Sequence, residues 1–500
     1  MSSLPFTLKD PALFNNEAYC HGEWIGAKSG KRFSVEDPGS GQCFTSCPDL
    51  GEEDVDAVVR SSQKAFEEYR LLNPRTRAEL LLKWHHLIRE SRDDIATILT
   101  YETGKPLSEA FGEIDYATGF TWWFAGEAER IRGDISTPSA PGRRVLVIKQ
   151  PIGVCAALVP WNFPIAMILR KVGAALAAGC TMIAKPSPET PLTTLTLAYL
   201  AEKAGFPKGV FNVMTTSNEN TPSLSEAICK HPLVQKVSFT GSTRVGSIIA
   251  SHCAVGLKKV TFELGGNCPF IIFDDANQDL ALAQLTSLKW RHAGQACVTA
   301  NRIYVQEGIY EKFLTKLVEH AKTIKLGHGS MESVTMGPLT TQRGVDKAKS
   351  QVKDALQRGA KIAHKCQVPS DSELRNGYFF GPTILRDMDS SMLVTQEESF
   401  APIAGLYKFK TEAEAVKLAN DTDMGLASYV FTRDVNRSWR MMEQLEAGMI
   451  GLNTGSSSAA ESPFGGMKMS GYGKESGKDV AIAEYLISKT ITMTVESASL

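Results

Sequence analysis

The sequence lacks a long uninterrupted apolar segment. No run reaches the roughly 18 residues that a membrane-spanning helix needs. The first residues, Met1 to Phe6, contain no basic stretch followed by an apolar core, which is the pattern of a secretory signal peptide. We therefore expect a cytoplasmic protein without a membrane partner.

An excess of charge of either sign is also missing. The chain has 54 Lys and Arg against 55 Asp and Glu, so its formal net charge is -1 at pH 7. Proteins that bind nucleic acid usually carry a basic excess, so we expect no nucleic-acid partner.

Paired cysteine motifs are absent as well. The ten cysteines include no Cys-x-x-Cys pair. This spacing argues against a zinc ribbon and against a disulfide framework, and it predicts free thiols in a reducing compartment. We predict no metal site.

What is present is enough chain for two or three domains, since 500 residues exceed what one hydrophobic core usually covers. Apolar residues at helical spacing predict amphipathic helices from Glu52 to Arg92 and from Ile95 to Trp123, which we interpret as packing scaffold.

The middle of the chain alternates regularly between strand and helix patterns. Predicted strands at 153–159, 181–185, 210–214, 235–239 and 259–262 alternate with predicted helices at 165–178, 193–204, 225–230 and 244–252. Such alternation is typical of an α/β fold with a parallel, doubly wound sheet. A second α/β unit follows from Phe270 onward.

Residues just after these strands carry the most functional information, because ligands of doubly wound sheets bind beyond the carboxyl ends of the strands. Thr240 to Gly246 reads as a strand end, a glycine turn and a helix start, which can aim N–H groups at a phosphate, although one glycine turn is a weak signal. Lys185 follows a buried strand, where a cation indicates either an anionic or hydroxylic ligand or simply a solvated strand end.

Cys297 lies in a loop of small residues, 292–301, between a helix pattern at 280–290 and a strand pattern at 302–305. Glycine and alanine neighbours leave a thiol accessible to substrate. Most free cysteines are nevertheless small buried hydrophobes, so the loop alone leaves both interpretations open.

Taken together, these loops resemble the aldehyde dehydrogenase superfamily over nearly the whole chain. The resemblance rests on ordered motifs at 160–164 (PWNFP), 185–187 (KPS), 239–242 (FTGS), 263–266 (ELGG), 294–297 (GQAC), 397–400 (EESF) and 463–466 (PFGG). It implies an aldehyde-dehydrogenase-like α/β fold. The doubly wound cofactor domain would comprise 1–128 and 151–263, and the α/β catalytic domain 264–465.

The resemblance also implies a small β oligomerisation arm, formed by 129–150 and 479–500, and assembly as a homodimer or homotetramer. Residues 490–495 alternate with period two. We expect this tail strand to pair either with the strand at 144–149 or with another subunit.

The chemistry implied by the resemblance is oxidation of an aldehyde. Cys297 would attack the aldehyde carbon to give a thiohemiacetal, while the Asn162 side-chain amide and the Cys297 backbone N–H donate to the oxyanion. Hydride transfer to NAD or NADP would leave a thioester, and Glu263 would activate the water that hydrolyses it. The cofactor contacts implied by the resemblance are Pro160, Trp161, Lys185, Ser187, Gly241, Ser242, Val245, Gly246, Leu264, Glu398 and Phe400.

Within the superfamily, segments 161–180 and 287–291 are most similar to succinate-semialdehyde dehydrogenases, which implies a role in GABA catabolism. It also implies substrate contacts from Arg170, Arg291, Ser458 and Phe464. A carboxylate in an apolar tunnel needs a guanidinium to offset its desolvation. The alternative is that both arginines form structural or surface ion pairs.

The chain departs from the subfamily pattern at three places. Pro188 stands where strictly NAD-using relatives have a glutamate, so Lys185 and Ser187 are predicted to accept the 2′-phosphate of NADP. Thr299 stands where several relatives have a second cysteine, which removes support for a disulfide switch. Residues 456–460 (SSSAA) are also atypical, which leaves the preferred chain length of the substrate open.

Other functions are compatible with parts of this sequence. The substrate could be glutarate semialdehyde, an amino aldehyde or an aliphatic aldehyde. A cysteine acyl-transferase or hydrolase would use Cys297 without a dinucleotide. A non-catalytic protein on the same scaffold is a further alternative, against which the intact Cys297, Glu263 and Asn162 argue.

Overall fold

A computed structural model describes residues 4–368 and 374–496 of the chain. Within these residues, two seven-stranded sheets and a three-stranded antiparallel sheet organise the fold. We name them the first sheet, the second sheet and the arm sheet. In the described part of the chain, no helix is both long and apolar enough to cross a membrane.

The chain begins with short strands and long helices, after a 3-10 turn at Pro11–Leu13. They are β1 Ala18–Cys20, β2 Glu23–Ile25, β3 Arg32–Asp37, β4 Gln42–Pro48, α1 Glu52–Tyr69, α2 Pro74–Glu90, α3 Arg92–Thr103 and α4 Leu107–Ala128. The hairpin of β1 and β2 extends the edge of the first sheet.

The prediction of one continuous helix from Ile95 to Trp123 is wrong, because the chain breaks between α3 and α4. Gly104 ends α3 in the left-handed region with φ of 82°, which glycine adopts without steric cost. Pro106 then precedes α4, and proline cannot continue a preceding helix. The break turns α4 onto a new course.

The arm sheet consists of β5 Asp134–Ser136, β6 Arg143–Pro151 and the tail strand β21 Leu486–Thr494. Both junctions are antiparallel. The predicted pairing of the tail with the strand at 144–149 is therefore confirmed.

The first sheet carries the predicted alternation of strands and helices. Its elements after the arm are β7 Val154–Leu158, α5 Pro164–Ala178, β8 Thr181–Lys185, α6 Pro191–Ala204, β9 Phe211–Val213, α7 Thr221–Lys230, β10 Val234–Thr240, α8 Thr243–Ala254 and β11 Lys259–Glu263. The strand order is β11-β10-β7-β8-β9, all parallel, followed by β1 and β2. The predicted doubly wound parallel sheet is confirmed.

This order has a consequence for ligand binding. The chain leaves β7 toward β8 and β9 on one side and returns to place β10 on the other side. The loops after β7 and β10 therefore diverge at a topological switch point, where open α/β sheets form their ligand crevice.

The second sheet is built from the rest of the chain, in the order β14-β15-β16-β13-β12-β18-β19. Its pairs are parallel except for the antiparallel edge strand β14. The strands of this sheet are β12 Cys268–Ile272, β13 Ala300–Gln306, β14 Lys361–Lys365, β15 Thr383–Arg386, β16 Ile403–Phe409, β18 Ala427–Phe431 and β19 Met449–Leu452. The same part of the chain contains the helices α9 Gln278–Lys289, α10 Tyr310–Ala321, α11 Gln342–Gln357, α12 Leu393–Gln396, α13 Glu412–Asn420, α14 Val435–Gln444 and α15 Val480–Ala483. It also contains the two-residue strands β17 Met424–Gly425 and β20 Met467–Lys468, and β21 follows α15.

Helix α5 lies at the centre of the molecule. All its residues are buried, including Arg170 and Lys171. It packs between α4 and the first sheet. Two buried cations on one helix require an acidic partner, and both Arg170 and Lys171 pair with Glu475.

Candidate active site

The predicted nucleophile opens onto a cavity of about 310 Å³ between the two large sheets. Its walls come from four parts of the chain: α4, the start of α5, the end of α9 with the loop that follows it, and the segment 455–464. The lining residues are Glu109, Gly112, Glu113, Tyr116, Phe163, Ala166, Met167, Arg170, Gln284, Ser287, Leu288, Arg291, Ala296, Cys297, Val298, Gly455, Ser456, Ser457, Ser458 and Phe464.

The loop that carries the cysteine has an unusual backbone. His292, Ala293 and Gly294 follow one another with φ of 47°, 51° and 75°. For residues other than glycine, such left-handed angles cost about 1–3 kcal/mol each and persist only where the surroundings impose them. The Gln295 side chain fastens this turn, because it accepts from Thr340 N–H at 3.0 Å and donates to the His292 carbonyl at 3.0 Å.

Cys297 itself is half-buried and lines the cavity. Burial raises the pKa of its thiol, the nearby Glu398 raises it further, and Arg170 opposes both. The structure therefore favours the protonated thiol in the absence of ligands, and a base must take its proton before it attacks. Behind it, a Cβ at Gly266 would lie 2.1 Å from the Cys297 carbonyl oxygen, so this close approach requires glycine.

Asn162 follows β7 and reaches the cysteine loop. Its Nδ2 donates to the Gln295 carbonyl at 2.9 Å, while its Oδ1 is buried without a hydrogen-bond partner among the described residues. Its own carbonyl accepts from Lys105 Nζ at 2.9 Å. The amide is thus held two residues before Cys297, with one of its two N–H groups engaged.

The buried ion pair of Lys105 and Glu113 holds the backbone of Asn162 in place, and the sequence analysis did not predict it. Lys105 and Glu113 are each 1% exposed and form a salt bridge. Glu113 Oε1 also accepts from Ile165 N–H at 2.9 Å, at the start of α5. The pair therefore ties the helix break, α4 and α5 to the loop that carries Asn162.

Glu263 ends β11 and is 1% exposed, and neither of its carboxylate oxygens has a hydrogen-bond partner among the described residues. Burial raises the pKa of this carboxyl to about 8, with a further rise from Glu475 and opposing effects of Arg170 and Lys171. A Cβ at Gly465 would lie 3.1 Å from Glu263 Oε1. An unpartnered buried carboxyl group calls for a functional explanation.

Of the three predicted catalytic residues, only Cys297 is among those that line this cavity. Asn162 directly precedes the lining residue Phe163, and Glu263 lies close to Gly465, which directly follows the lining residue Phe464. Their catalytic roles remain predictions.

Arg170 has a partner that the sequence analysis did not anticipate. Its Nη2 lies 3.0 Å from Glu475 Oε2, and its guanidinium stacks 4.0 Å from the centre of the Phe464 ring. Lys171 pairs with the same glutamate and donates to the Thr240 hydroxyl at 2.7 Å. Arg170 lines the cavity and shares the single Glu475 carboxylate with Lys171, so its role as a receptor for the substrate carboxylate stays a prediction.

Arg291 differs from Arg170 in its exposure and in its ion pairing. It is exposed, lines the cavity and lies 5.2 Å from the centre of the Phe163 ring. In residues 4–368 and 374–496, the ion pairs around the cavity include those of Lys105 and Arg170 but none of Arg291. Ser458 also lines the cavity, where its hydroxyl is hydrogen-bonded to that of Tyr116.

The predicted cofactor residues gather along the switch point of the first sheet. Ser242 accepts from Val245 N–H at 3.4 Å and caps α8, whose free N–H groups can bind a phosphate. Gly241 N–H donates to the Glu263 carbonyl at 3.0 Å. A Cβ at Gly246 would lie 2.5 Å from Leu264 Cδ2, so glycine allows α8 to approach β11 closely.

Lys185 fits the adenosine end of a dinucleotide. It is 5% exposed, and its Nζ has one long contact, 3.4 Å to the Thr221 hydroxyl. Burial lowers the pKa of this amine to about 8, while Glu189 opposes the shift. A buried cation with spare hydrogen-bonding capacity suits a ribose hydroxyl or a phosphate.

A carboxylate nevertheless remains close to the proposed 2′-phosphate position. The Ser187 hydroxyl donates to the Glu189 carboxylate, which also accepts from Asn218 Nδ2 at 3.2 Å. Glu189, next to Pro188, therefore places a carboxylate beside Lys185 and Ser187.

The remaining cofactor candidates are Pro160, Trp161, Glu398 and Phe400. Trp161, next to the half-buried Pro160, packs perpendicular to Phe400 at 5.5 Å. Glu398 Oε1 accepts from Gly266 N–H at 3.0 Å, and burial raises the pKa of its carboxyl to about 7. The donors and glycine-permitted approaches along this crevice fit NAD or NADP.

Comparisons with known proteins agree with this arrangement. Residues 24–491 match the model of the aldehyde dehydrogenase family. The chain is 45% identical over 479 residues to a glutarate-semialdehyde dehydrogenase of Pseudomonas aeruginosa, and equally to the NADP(+) succinate-semialdehyde dehydrogenase GabD of Escherichia coli; each match covers 96% of this chain and 98% of the relative. The crystal structure of a succinate-semialdehyde dehydrogenase from Burkholderia pseudomallei superposes with a TM-score of 0.95 at 43% identity, covering 98% of this chain and 100% of that one.

Proposed function

The chain belongs to the aldehyde dehydrogenase family, and from this premise we propose that it oxidises succinate semialdehyde to succinate. It is an NAD(P)-dependent aldehyde dehydrogenase. The observation that carries the substrate proposal is a cavity that joins the Cys297 thiol to Arg291, an exposed arginine that forms no salt bridge with any described residue.

In the proposed mechanism, the Cys297 thiol loses its proton and attacks the aldehyde carbon, which forms a thiohemiacetal. The free N–H of Asn162 Nδ2 and the Cys297 backbone N–H donate to the new oxyanion, and removing one such donor typically costs about 3 kcal/mol of transition-state stabilisation. A bound nicotinamide supplies the acceptor for the hydride that leaves the same carbon. The product attached to Cys297 is then a thioester.

Glu263 is proposed to take a proton from the water that hydrolyses this thioester. Its buried carboxyl with free oxygens and a pKa of about 8 suits a general base working near neutral pH.

The substrate's far carboxylate is proposed to lie at the Arg291 side of the cavity. A guanidinium without an acidic partner offsets the desolvation of a carboxylate, and charged hydrogen bonds contribute about 1.5–3 kcal/mol each. The polar hydroxyls of Ser458 and its neighbours line the same region.

Steady-state kinetics on two aldehydes of equal length tests this proposal. Succinate semialdehyde carries a carboxylate that butanal lacks, so we expect kcat/KM to favour it about a hundredfold, in keeping with two charged hydrogen bonds. Arg291→Ala should lower kcat/KM for succinate semialdehyde and leave that for butanal unchanged. Equal efficiency with the two aldehydes would refute the proposal, and Cys297→Ala should abolish both activities.

Glutarate semialdehyde is the second candidate substrate, because a relative at 45% identity is named for it. It differs by one methylene, which a hydrophobic pocket distinguishes by only about 1–3 kcal/mol. Adding glutarate semialdehyde to the same kinetic panel decides which chain length fits. Within the 456–460 segment, Ser456, Ser457 and Ser458 line the cavity, and this segment is the part expected to set the preference.

We also propose that the protein assembles as a homodimer or homotetramer in the cytoplasm and serves GABA catabolism. The arm sheet supports assembly, because its apolar residues Ile135, Ile487, Ile491 and Met493 are exposed. Exposed apolar patches of this kind usually mark an interface.

A further inference from the structure

One wall of the substrate cavity is a single face of helix α4. Glu109, Gly112, Glu113 and Tyr116 all line the cavity and recur every three or four residues, as positions on one helix face do. Two of these side chains are committed elsewhere: Glu109 accepts from His292 N–H at 2.7 Å, and Glu113 pairs with Lys105. Tyr116 is the remaining polar group of this face.

The Tyr116 hydroxyl joins two walls of the cavity. It is hydrogen-bonded to the Ser458 hydroxyl, which lies 342 positions later in the sequence on the opposite segment. The ring is held edge-on against buried Phe120, with centres 5.1 Å apart. A hydroxyl held on a packed helix and by a second hydroxyl is preorganised rather than mobile.

This pair of hydroxyls retains donor capacity for a ligand. Tyrosine and serine each carry one O–H, and their mutual hydrogen bond uses one of the two. The other O–H is free to donate to an oxygen that enters the cavity. A carboxylate is the acceptor that gains most from such a donor, because hydrogen bonds to ionised groups are about twice as strong as neutral ones.

The distribution of charge favours the same location for an anion. Arg170 lines the cavity and shares Glu475 with Lys171, so these three side chains carry one more positive than negative charge. Arg291 forms no salt bridge within the described part of the chain, and its charge acts to lower the pKa of the Glu109 carboxyl, which lines the same cavity. The cavity therefore offers an exposed guanidinium and, on the α4 wall, one uncommitted hydroxyl pair.

We propose that Tyr116 is a substrate-positioning residue that, with Ser458, donates a hydrogen bond to the far carboxylate of the aldehyde acid. This inference rests on the proposed function, since it assumes a substrate with a terminal carboxylate. It adds to that function a residue on α4 that selects substrates by their charged end and leaves the chemistry at Cys297 unchanged.

The test is Tyr116→Phe, which removes the hydroxyl and keeps the ring against Phe120. We expect KM for succinate semialdehyde to rise about tenfold or more, as for the loss of one hydrogen bond to a charged group, with kcat within about twofold. kcat/KM for butanal should not change. The inhibition constant of succinate, measured against butanal, should rise by the same factor as KM.

Ser458→Ala keeps the inference falsifiable if the tyrosine variant folds poorly. It should raise KM in the same direction, and the double variant should lose less than the product of the two single effects, because the hydroxyls act as a pair. Tyr199→Phe, on α6 outside the cavity lining, is the matched control and should behave like the unmodified protein.

Two results would overturn the inference. One is an unchanged KM for succinate semialdehyde in Tyr116→Phe. The other is an equal loss with both aldehydes, which indicates a purely structural role. A failure of the proposed function is distinguishable, because the unmodified enzyme would then show no preference for succinate semialdehyde over butanal.

Discussion

At the scale of single residues, Glu263 links the chemistry to pH. Its pKa is raised from 4.5 to about 8, mainly by burial, so most of this carboxyl is protonated at neutral pH. A general base must be ionised to accept a proton. We therefore predict that thioester hydrolysis accelerates as pH rises through about 8. It can be followed as the slow phase of nicotinamide reduction, after a rapid burst from the first turnover. Glu263→Gln should retain the burst and lose the slow phase at every pH.

The same shift affects stability, with a sign that follows from proton binding. Between pH 4.5 and 8 the folded carboxyl holds a proton that the unfolded one has lost, so stability falls as pH rises through this window. Glu263→Gln cannot ionise and should be more stable than the unmodified protein at pH 9. Urea unfolding at pH 5 and pH 9 measures this, and equal differences at the two pH values would contradict the assignment.

Glu189 is the residue expected to set the choice between NAD and NADP. Its carboxylate accepts the Ser187 hydroxyl, so it opposes a 2′-phosphate that approaches Lys185 and Ser187. We predict that Glu189→Gln lowers KM for NADP about three- to tenfold, as expected for removal of one partly screened like charge, and leaves KM for NAD nearly unchanged. Glu226→Gln, at a half-buried position on α7, is the control. A larger change for NAD than for NADP would show that Glu189 does not face the phosphate.

At the scale of elements, the buried pair of Lys105 and Glu113 holds the break between α3 and α4 against the start of α5. Both side chains are 1% exposed. Glu113→Gln keeps an oxygen for the N–H groups of α5 but leaves the lysine charge uncompensated. Removing one partner of a buried pair costs about 3–5 kcal/mol, so we predict a loss of this order in chemical unfolding. Adding Lys105→Met should restore part of it; a further loss in the double variant would contradict the pairing.

The elements also show what the sequence could and could not predict. The alternation from β7 to β11 was predictable because hydrophobic periodicity is a local signal, and the motifs after these strands pointed to Asn162 and Lys185. The face of α4 could not be interpreted, since a stripe that lines a cavity has the same spacing as one that packs on a core. Glu475 was missed because its partners, Arg170 and Lys171, lie some 300 positions earlier and meet it only in the folded chain.

At the scale of the whole molecule, the arm sheet presents a surface that one chain leaves uncovered. Ile135, Leu146 and Ile491 are in register across β5, β6 and β21, so their side chains form one apolar row. Ile135 is 76% and Ile491 is 40% exposed. In the proposed assembly, this row would pack against the identical row of a second copy, because a sheet of only three strands gains stability from such a self-complementary contact.

This row gives a prediction about assembly. Ile491→Glu places a charge in the middle of the apolar row and should shift the protein to a smaller species in light scattering, because burying an unpaired carboxylate at an interface is strongly unfavourable. The smaller species should keep its far-ultraviolet circular dichroism, since the arm lies apart from both large sheets. Leu71→Glu, at an exposed apolar position after α1, should leave the molar mass unchanged. An unaltered mass for Ile491→Glu would place the contact between subunits elsewhere, whereas a changed mass for both variants would show that added charge alone, and not the arm, weakens assembly.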